Sequence, residues 1–126
     1  MLKELIRHPW RWPVIWALVM VTLTSVPGAD LPHAPLLFAE EDKLVHFGLY
    51  AILGFLSASS ARNAGGRLSA PVVLLGIATL AALDEFHQRF IPGRSMDVRD
   101  FVADVVGAIV GLWLFEMVRK RRERVT

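Results

Sequence analysis

Apolar and polar positions along this chain come in blocks. Four apolar stretches, roughly 10–26, 44–61, 68–88 and 98–118, are separated by short segments rich in charge, proline and glycine. Each is close to the ~17–25 residues that an α-helix needs to cross about 30 Å of hydrocarbon, with its polar ends at the interface. The expected fold is all-α, a polytopic membrane protein built as a four-transmembrane-helix antiparallel bundle. These spans use most of the 126 residues. The connections are therefore short, successive helices should be neighbours, and residues 1–126 should form a single domain.

The punctuation between the blocks fits this division. Pro27-Gly28 closes the first stretch, Asn63-Ala64-Gly65-Gly66 reads as a turn, and Ile91-Pro92-Gly93 forces a tight reversal, with Ser95 as the candidate N-cap of the last helix. Residues 31–38 are apolar but broken by Pro32 and Pro35, which suggests an extended segment at the outer interface that roofs a site. An alternative reading makes the first stretch a secretory signal peptide, because Lys3, Arg7 and Arg11 precede it and small residues follow. The run contains Trp12, Pro13 and Trp16, and Trp10 and Trp12 fit an interfacial anchor better than a cleaved leader.

Charge sets the orientation. Lys3, Arg7, Arg11, Arg62, Arg67, Arg119, Lys120, Arg121, Arg122 and Arg124 fall on one side of a four-span arrangement, ten of the fourteen basic residues. The positive-inside rule makes that side cytoplasmic, with both termini inside. Nine of the twelve acids lie on the other side. The basic tail is accounted for by topology and by anionic membrane lipids, so a nucleic-acid partner is not expected. With no cysteine in the chain, thiolate chemistry and disulfides are excluded. There is also no phosphate-binding glycine loop, dinucleotide fingerprint or Gly-x-Ser-x-Gly elbow.

Three polar clusters sit at the outer ends of the apolar blocks: Asp42/Lys43/His46, Asp84/Glu85/His87/Gln88 and Arg94/Asp97/Arg99/Asp100/Asp104. Helical spacing puts His46 with Tyr50, Asp84 with His87 and Gln88, and Asp97 with Asp100 and Asp104, each set on one stripe. The acidic stripe continues into Gly107 and Gly111, a small-xxx-small pair suited to close helix packing, so Asp100 and Asp104 should face into the bundle. Blander roles stand beside this. Asp42, Asp97 and Asp100 lie near helix N-termini, where capping explains a carboxylate. His46 and Tyr50 are suited to hydrogen bonding between helices, and His8 and His33 read as surface residues. Glu85 falls on a different face from Asp84, which suggests exposure or a bridge to Arg89. Arg94 suits either a headgroup anchor or an anion-binding role.

Taken together, Asp42-Lys43-Leu44-Val45-His46-Phe47-Gly48-Leu49-Tyr50, Asp84-Glu85-Phe86-His87-Gln88, Pro92-Gly93-Arg94-Ser95-Met96-Asp97-Val98-Arg99-Asp100 and Asp104-Val105-Val106-Gly107 resemble the VanZ-like membrane proteins, a family associated with teicoplanin resistance. The resemblance covers about residues 10 to 118 and implies a four-helix bacterial inner-membrane protein of the cell envelope. It implies no agreed reaction. Asp104 stands where the family often has Asn, which disfavours a role needing a neutral amide there and favours a carboxylate ligand.

Two classes of function follow. In the first, a membrane-embedded site on the outer face binds and processes a lipid-linked or phosphate-bearing envelope substrate. His46, Asp84, Gln88 and Asp100 are its candidate catalytic residues, and Lys43, Tyr50, Arg94 and Asp97 its candidate substrate-binding residues. Asp84, Asp100 and Asp104 are candidate ligands for a divalent cation such as Mg²⁺, Mn²⁺ or Zn²⁺. In the second class, the same network binds a lipid headgroup or a glycopeptide without turnover. A small transporter is a third option, and it would need a dimer to form a pathway. Oligomeric state is not legible in the sequence.

Overall fold

The computed structural model of the protein describes residues 1–27 and 41–126. The proposed roof at 31–38 and His33 lie outside the described residues. So does the side chain of Asp42. The described chain is helical throughout its regular elements: α1 (Leu2–Arg7), α2 (Arg11–Thr24), α3 (Glu41–Asn63), α4 (Ala70–Gln88) and α5 (Val98–Val125). Three of these, α3, α4 and α5, are long and apolar enough to cross a membrane.

The first expected span differs. α2 has 14 residues, about 21 Å at 1.5 Å per residue, against a hydrocarbon core of about 30 Å. It stops because Pro27 lacks an N–H and steers the preceding Val26 out of helical geometry. The last helix is longer than expected and runs through the basic tail to Val125. Arg119 bonds Glu116 at 2.6 Å and Glu123 at 2.8 Å, one turn to either side, so the polar continuation keeps its helical support. Its N-cap is Asp97 rather than Ser95: the Asp97 carboxylate accepts the Arg99 N–H at 2.8 Å from extended backbone geometry. Between α3 and α4, Gly65 at φ +96° donates to Arg62 O and Gly66 to Ala61 O. This paired closure needs a left-handed residue, which only glycine adopts cheaply.

The closest pairing is between α3 and α5, which are not consecutive. A Cβ built on Gly107 would meet the backbone of Phe47, one on Gly111 that of Ala51, and one on Gly54 that of Ala108. The first two contacts ascend together in both helices, so α3 and α5 run parallel with almost touching backbones. α4 runs the other way, bringing its C-terminal Glu85 and Gln88 to the N-terminal ends of the other two. Small residues dictate this. Ala81 and Ala108 are fully buried beside Tyr50, Leu53 and Ile77.

The distribution of side chains is inverted relative to a water-soluble domain. Leu44 is 71% exposed and Leu75 68%, with Leu18, Leu83 and Trp113 also outward, whereas His46, Asp84, Glu85, Gln88, Asp100 and Asp104 are buried. An apolar exterior of this extent around three spanning-length helices is the surface of a membrane protein.

Candidate functional site

At the centre of the buried polar group, His46 on α3 meets Asp104 on α5, with Nδ1 and Oδ1 2.8 Å apart. This contact depends on Gly107 and Gly111, since any side chain at those positions would push the two helices apart. Glu85 on α4 completes the group, with Oε1 3.8 Å from His46 Nδ1. Gln88, one turn further along α4, donates to the same oxygen at 3.4 Å. The other Glu85 oxygen accepts the backbone N–H of Asp97 at 3.2 Å. Glu85 thus faces the histidine and also satisfies the N-terminal end of α5.

Around this centre lies a ring of charge pairs. Lys43 reaches Asp100 at 3.6 Å and Asp97 at 3.7 Å, tying the start of α3 to the start of α5. The Asp97 carboxyl, outside the spanning segments, is held below its ordinary value chiefly by the Arg99 N–H, with Lys43 adding to the effect. Asp84 accepts a hydrogen bond from Thr24 Oγ1 on α2 at 2.7 Å. Arg94 donates to the carbonyls of Val26 at 3.1 Å and Leu23 at 3.5 Å, capping the end of α2. A guanidinium has five N–H donors, so this capping does not exhaust it.

The sequence-derived candidates therefore sort into an inner and an outer set. His46, Gln88 and Asp104 form the inner set with Glu85, while Lys43, Asp97 and Asp100 form a pair network beside it, and Asp84 and Arg94 fasten α2. The ligand-type atoms gathered most tightly belong neither to Asp84 nor to Asp100. Among the described residues, His46, Glu85 and Asp104 offer ligand atoms within 4.8 Å of one another. This trio differs from the expected Asp84, Asp100 and Asp104. Asp84 is turned toward Thr24 and Asp100 toward Lys43, so each already has a partner.

Glu85 is the residue whose importance sequence reasoning missed. It is 3% exposed, whereas the expectation was an outward face and a bridge to Arg89. Its signal was present in the stripe Ile77, Ala81, Asp84, Glu85 and Gln88, all of which are buried. A buried face often includes two adjacent positions per turn. His87, grouped with Asp84 by spacing, is exposed instead. Tyr50 is 1% exposed, and its hydroxyl has no hydrogen-bond partner among the described residues, as is true of Asp84 Oδ2 and Asp104 Oδ2.

Two surface hollows lie at the opposite end of the bundle, one beside Met117, Lys120 and Arg121 and one between Ala61, Leu68 and Phe115. Neither contains a titratable group of the polar centre. A family model described as VanZ/LLP1 matches residues 7–119, a range that includes every residue of the inner set. No curated protein and no solved structure matches the chain significantly.

Proposed function

The chain belongs to the VanZ/LLP1 family, and from that premise we propose that it is a bacterial inner-membrane protein whose outer-face site binds and hydrolyses a lipid-linked, phosphate-bearing envelope substrate. The observation that carries this reading is the buried meeting of His46, Glu85 and Asp104 at the same end of three helices. Buried carboxylates at membrane depth are costly and are characteristically kept for function. In this reading α2 and its flanking residues complete a fourth crossing, and both termini lie in the cytoplasm, consistent with the ten basic residues assigned to that side.

The chemistry follows from the geometry. Asp104 orients the His46 imidazole, as a carboxylate does for a catalytic histidine elsewhere. A water oxygen forms the new bond to phosphorus, and the bond to the leaving oxygen breaks. His46 takes the water proton and returns it to that oxygen. Lys43 and Arg94, at the rim, attract the anionic group.

A second reading, binding of a lipid headgroup or glycopeptide without turnover, is favoured by one observation: Lys43, Asp84 and Arg94 all have partners within the protein. Purified protein in nanodiscs, given a polyprenyl diphosphate, separates the two. Release of inorganic phosphate that is lost in His46→Gln supports hydrolysis. Saturable binding without release supports the second reading, and neither result would leave the site without this substrate class. Cells expressing the protein and challenged with teicoplanin test the role in resistance, with His46→Gln expected to remove any protection.

A further inference from the structure

The inner set contains one imidazole and two carboxylates withdrawn from the surface: His46 and Glu85 are each 3% exposed and Asp104 0%. With both carboxylates ionised the charge does not balance. Even a fully protonated His46 offsets only one carboxylate, and the cationic Lys43 is committed to Asp97 and Asp100. Burying the remaining negative charge with no counterion among the described residues is expensive, so the site takes up either a proton or a cation. Asp104 Oδ2 is also buried without a hydrogen-bond partner among the described residues, although an ionised carboxylate has about four acceptor sites to satisfy. One turn from His46, the Tyr50 hydroxyl likewise has no hydrogen-bond partner among the described residues.

We infer that His46, Glu85 and Asp104 form a binding site for one divalent cation. This inference deepens the proposed function by giving its site a metal, and it rests on that reading for the metal's purpose but not for its existence. The separations fit. Ligands bound at about 2.0–2.2 Å in octahedral or tetrahedral geometry lie roughly 3–3.5 Å apart, or about 4.2 Å when opposed. The His46–Asp104 separation is 2.8 Å and the His46–Glu85 separation 3.8 Å, so small side-chain shifts bring all three onto one ion. The unsatisfied Asp104 oxygen is then available as a second ligand atom.

The donor set favours a cation that accepts nitrogen and oxygen together. One imidazole with two carboxylates suits Mn²⁺ or Zn²⁺ better than Mg²⁺, which keeps most of its waters, or Ca²⁺, which prefers six to eight oxygens. Gln88 bonds Glu85 Oε1 at 3.4 Å and acts as a positioning residue for that ligand. A bound cation polarises a phosphoryl oxygen and makes its own water more acidic. With a cation bound, His46 would hold it rather than act as the base, and the cation would supply an already acidified water.

The test uses full-length protein in nanodiscs with Mn²⁺ alone as probe, followed by electron paramagnetic resonance and by thermal melting. The expected result is one saturable Mn²⁺ per chain, competed by Zn²⁺, with a rise in melting temperature that grows with concentration. Asp104→Asn and Glu85→Gln preserve shape and should each weaken binding at least about tenfold, while Asp100→Asn should leave it within about twofold. Circular dichroism of each variant shows whether its helices are intact. If Mn²⁺ and Zn²⁺ fail to bind the wild type at millimolar concentration, or if Asp104→Asn binds as wild type does, the inference is overturned. Polyprenyl diphosphate hydrolysis that survives chelation overturns the metal and keeps the proposed function. Mn²⁺ binding without hydrolysis or binding of that lipid does the opposite.

Discussion

His46 and Asp104, 58 positions apart in the chain, meet through Nδ1 and Oδ1 at 2.8 Å in the interior of the α3/α5 pair. The pair ties the start of one spanning helix to another at the centre of the buried polar group. It therefore serves either as glue or as the working centre, and substitutions that preserve its shape distinguish the two.

His46→Gln and Asp104→Asn retain hydrogen-bonding capacity and volume. Hydrolysis of a polyprenyl diphosphate should fall about 10²–10⁴-fold in each, while stability falls by ~1 kcal/mol or less. Parallel turnover and melting measurements in nanodiscs check this. An early-melting protein that keeps its activity would make the pair structural.

Gly111→Ala should be disproportionately harmful, because the new Cβ meets the backbone of Ala51 and Phe55 rather than a flexible side chain. Separating two packed backbones should cost about 1–3 kcal/mol and pull Asp104 away from His46, lowering activity together with stability. Gly76→Ala, whose Cβ meets nothing, is the control. It should leave both unchanged or raise stability slightly.

Glu85 has a structural duty beside its proposed role at the site, and two substitutions separate them. Glu85→Ala strands the Asp97 N–H and should lose about 1–3 kcal/mol in a thermal or denaturant melt. Glu85→Gln retains an acceptor and should be mild in stability yet inactive. On the exposed face, His87→Ala should stay within about 0.5 kcal/mol of wild type and remain active.

The Asp97 carboxyl predicts a pH signature. Its folded value lies below its unfolded value, so on acidification the unfolded chain takes up the proton first. The stabilisation is therefore complete above the ordinary aspartate value of about 3.9 and disappears as pH falls through the lowered folded value. The melting-temperature gap between wild type and Asp97→Asn should stay constant from pH 8 to about pH 5 and close under stronger acid. A gap that widens with acid would contradict the assigned Arg99 and Lys43 contacts.

Topology is tested by reporter fusions. Fusions at Gly65 and after Thr126 should report the cytoplasm, and those at His33 and Gly93 the outer side, as the ten-to-four division of basic residues requires. A cytoplasmic signal from Gly93 would invert the proposed placement of the polar site.

Apolar run length was enough to locate α3, α4 and α5, because a spanning helix must satisfy its own backbone and cover about 30 Å. The same argument gave a first stretch a little longer than the 14-residue α2, which ends before Pro27, and stopped too early on α5, where the Arg119 ion pairs carry the helix past the apolar run. Spacing also placed Asp100 and Asp104, on the stripe that continues into Gly107 and Gly111, on an inward face. It could not choose correctly between neighbours on α4, since Asp84 and Glu85 are 100° apart on a helix and either one, or both, can belong to a buried face. The rotation of α4 was decided by packing against α3 and α5, which turned Glu85 toward His46 and His87 outward. Partner choice was tertiary for the same reason. Asp84 found Thr24, Asp100 found Lys43 and Arg94 found the end of α2 only because the close approach at Gly54, Gly107 and Gly111 set the helices in a register that no local pattern encodes.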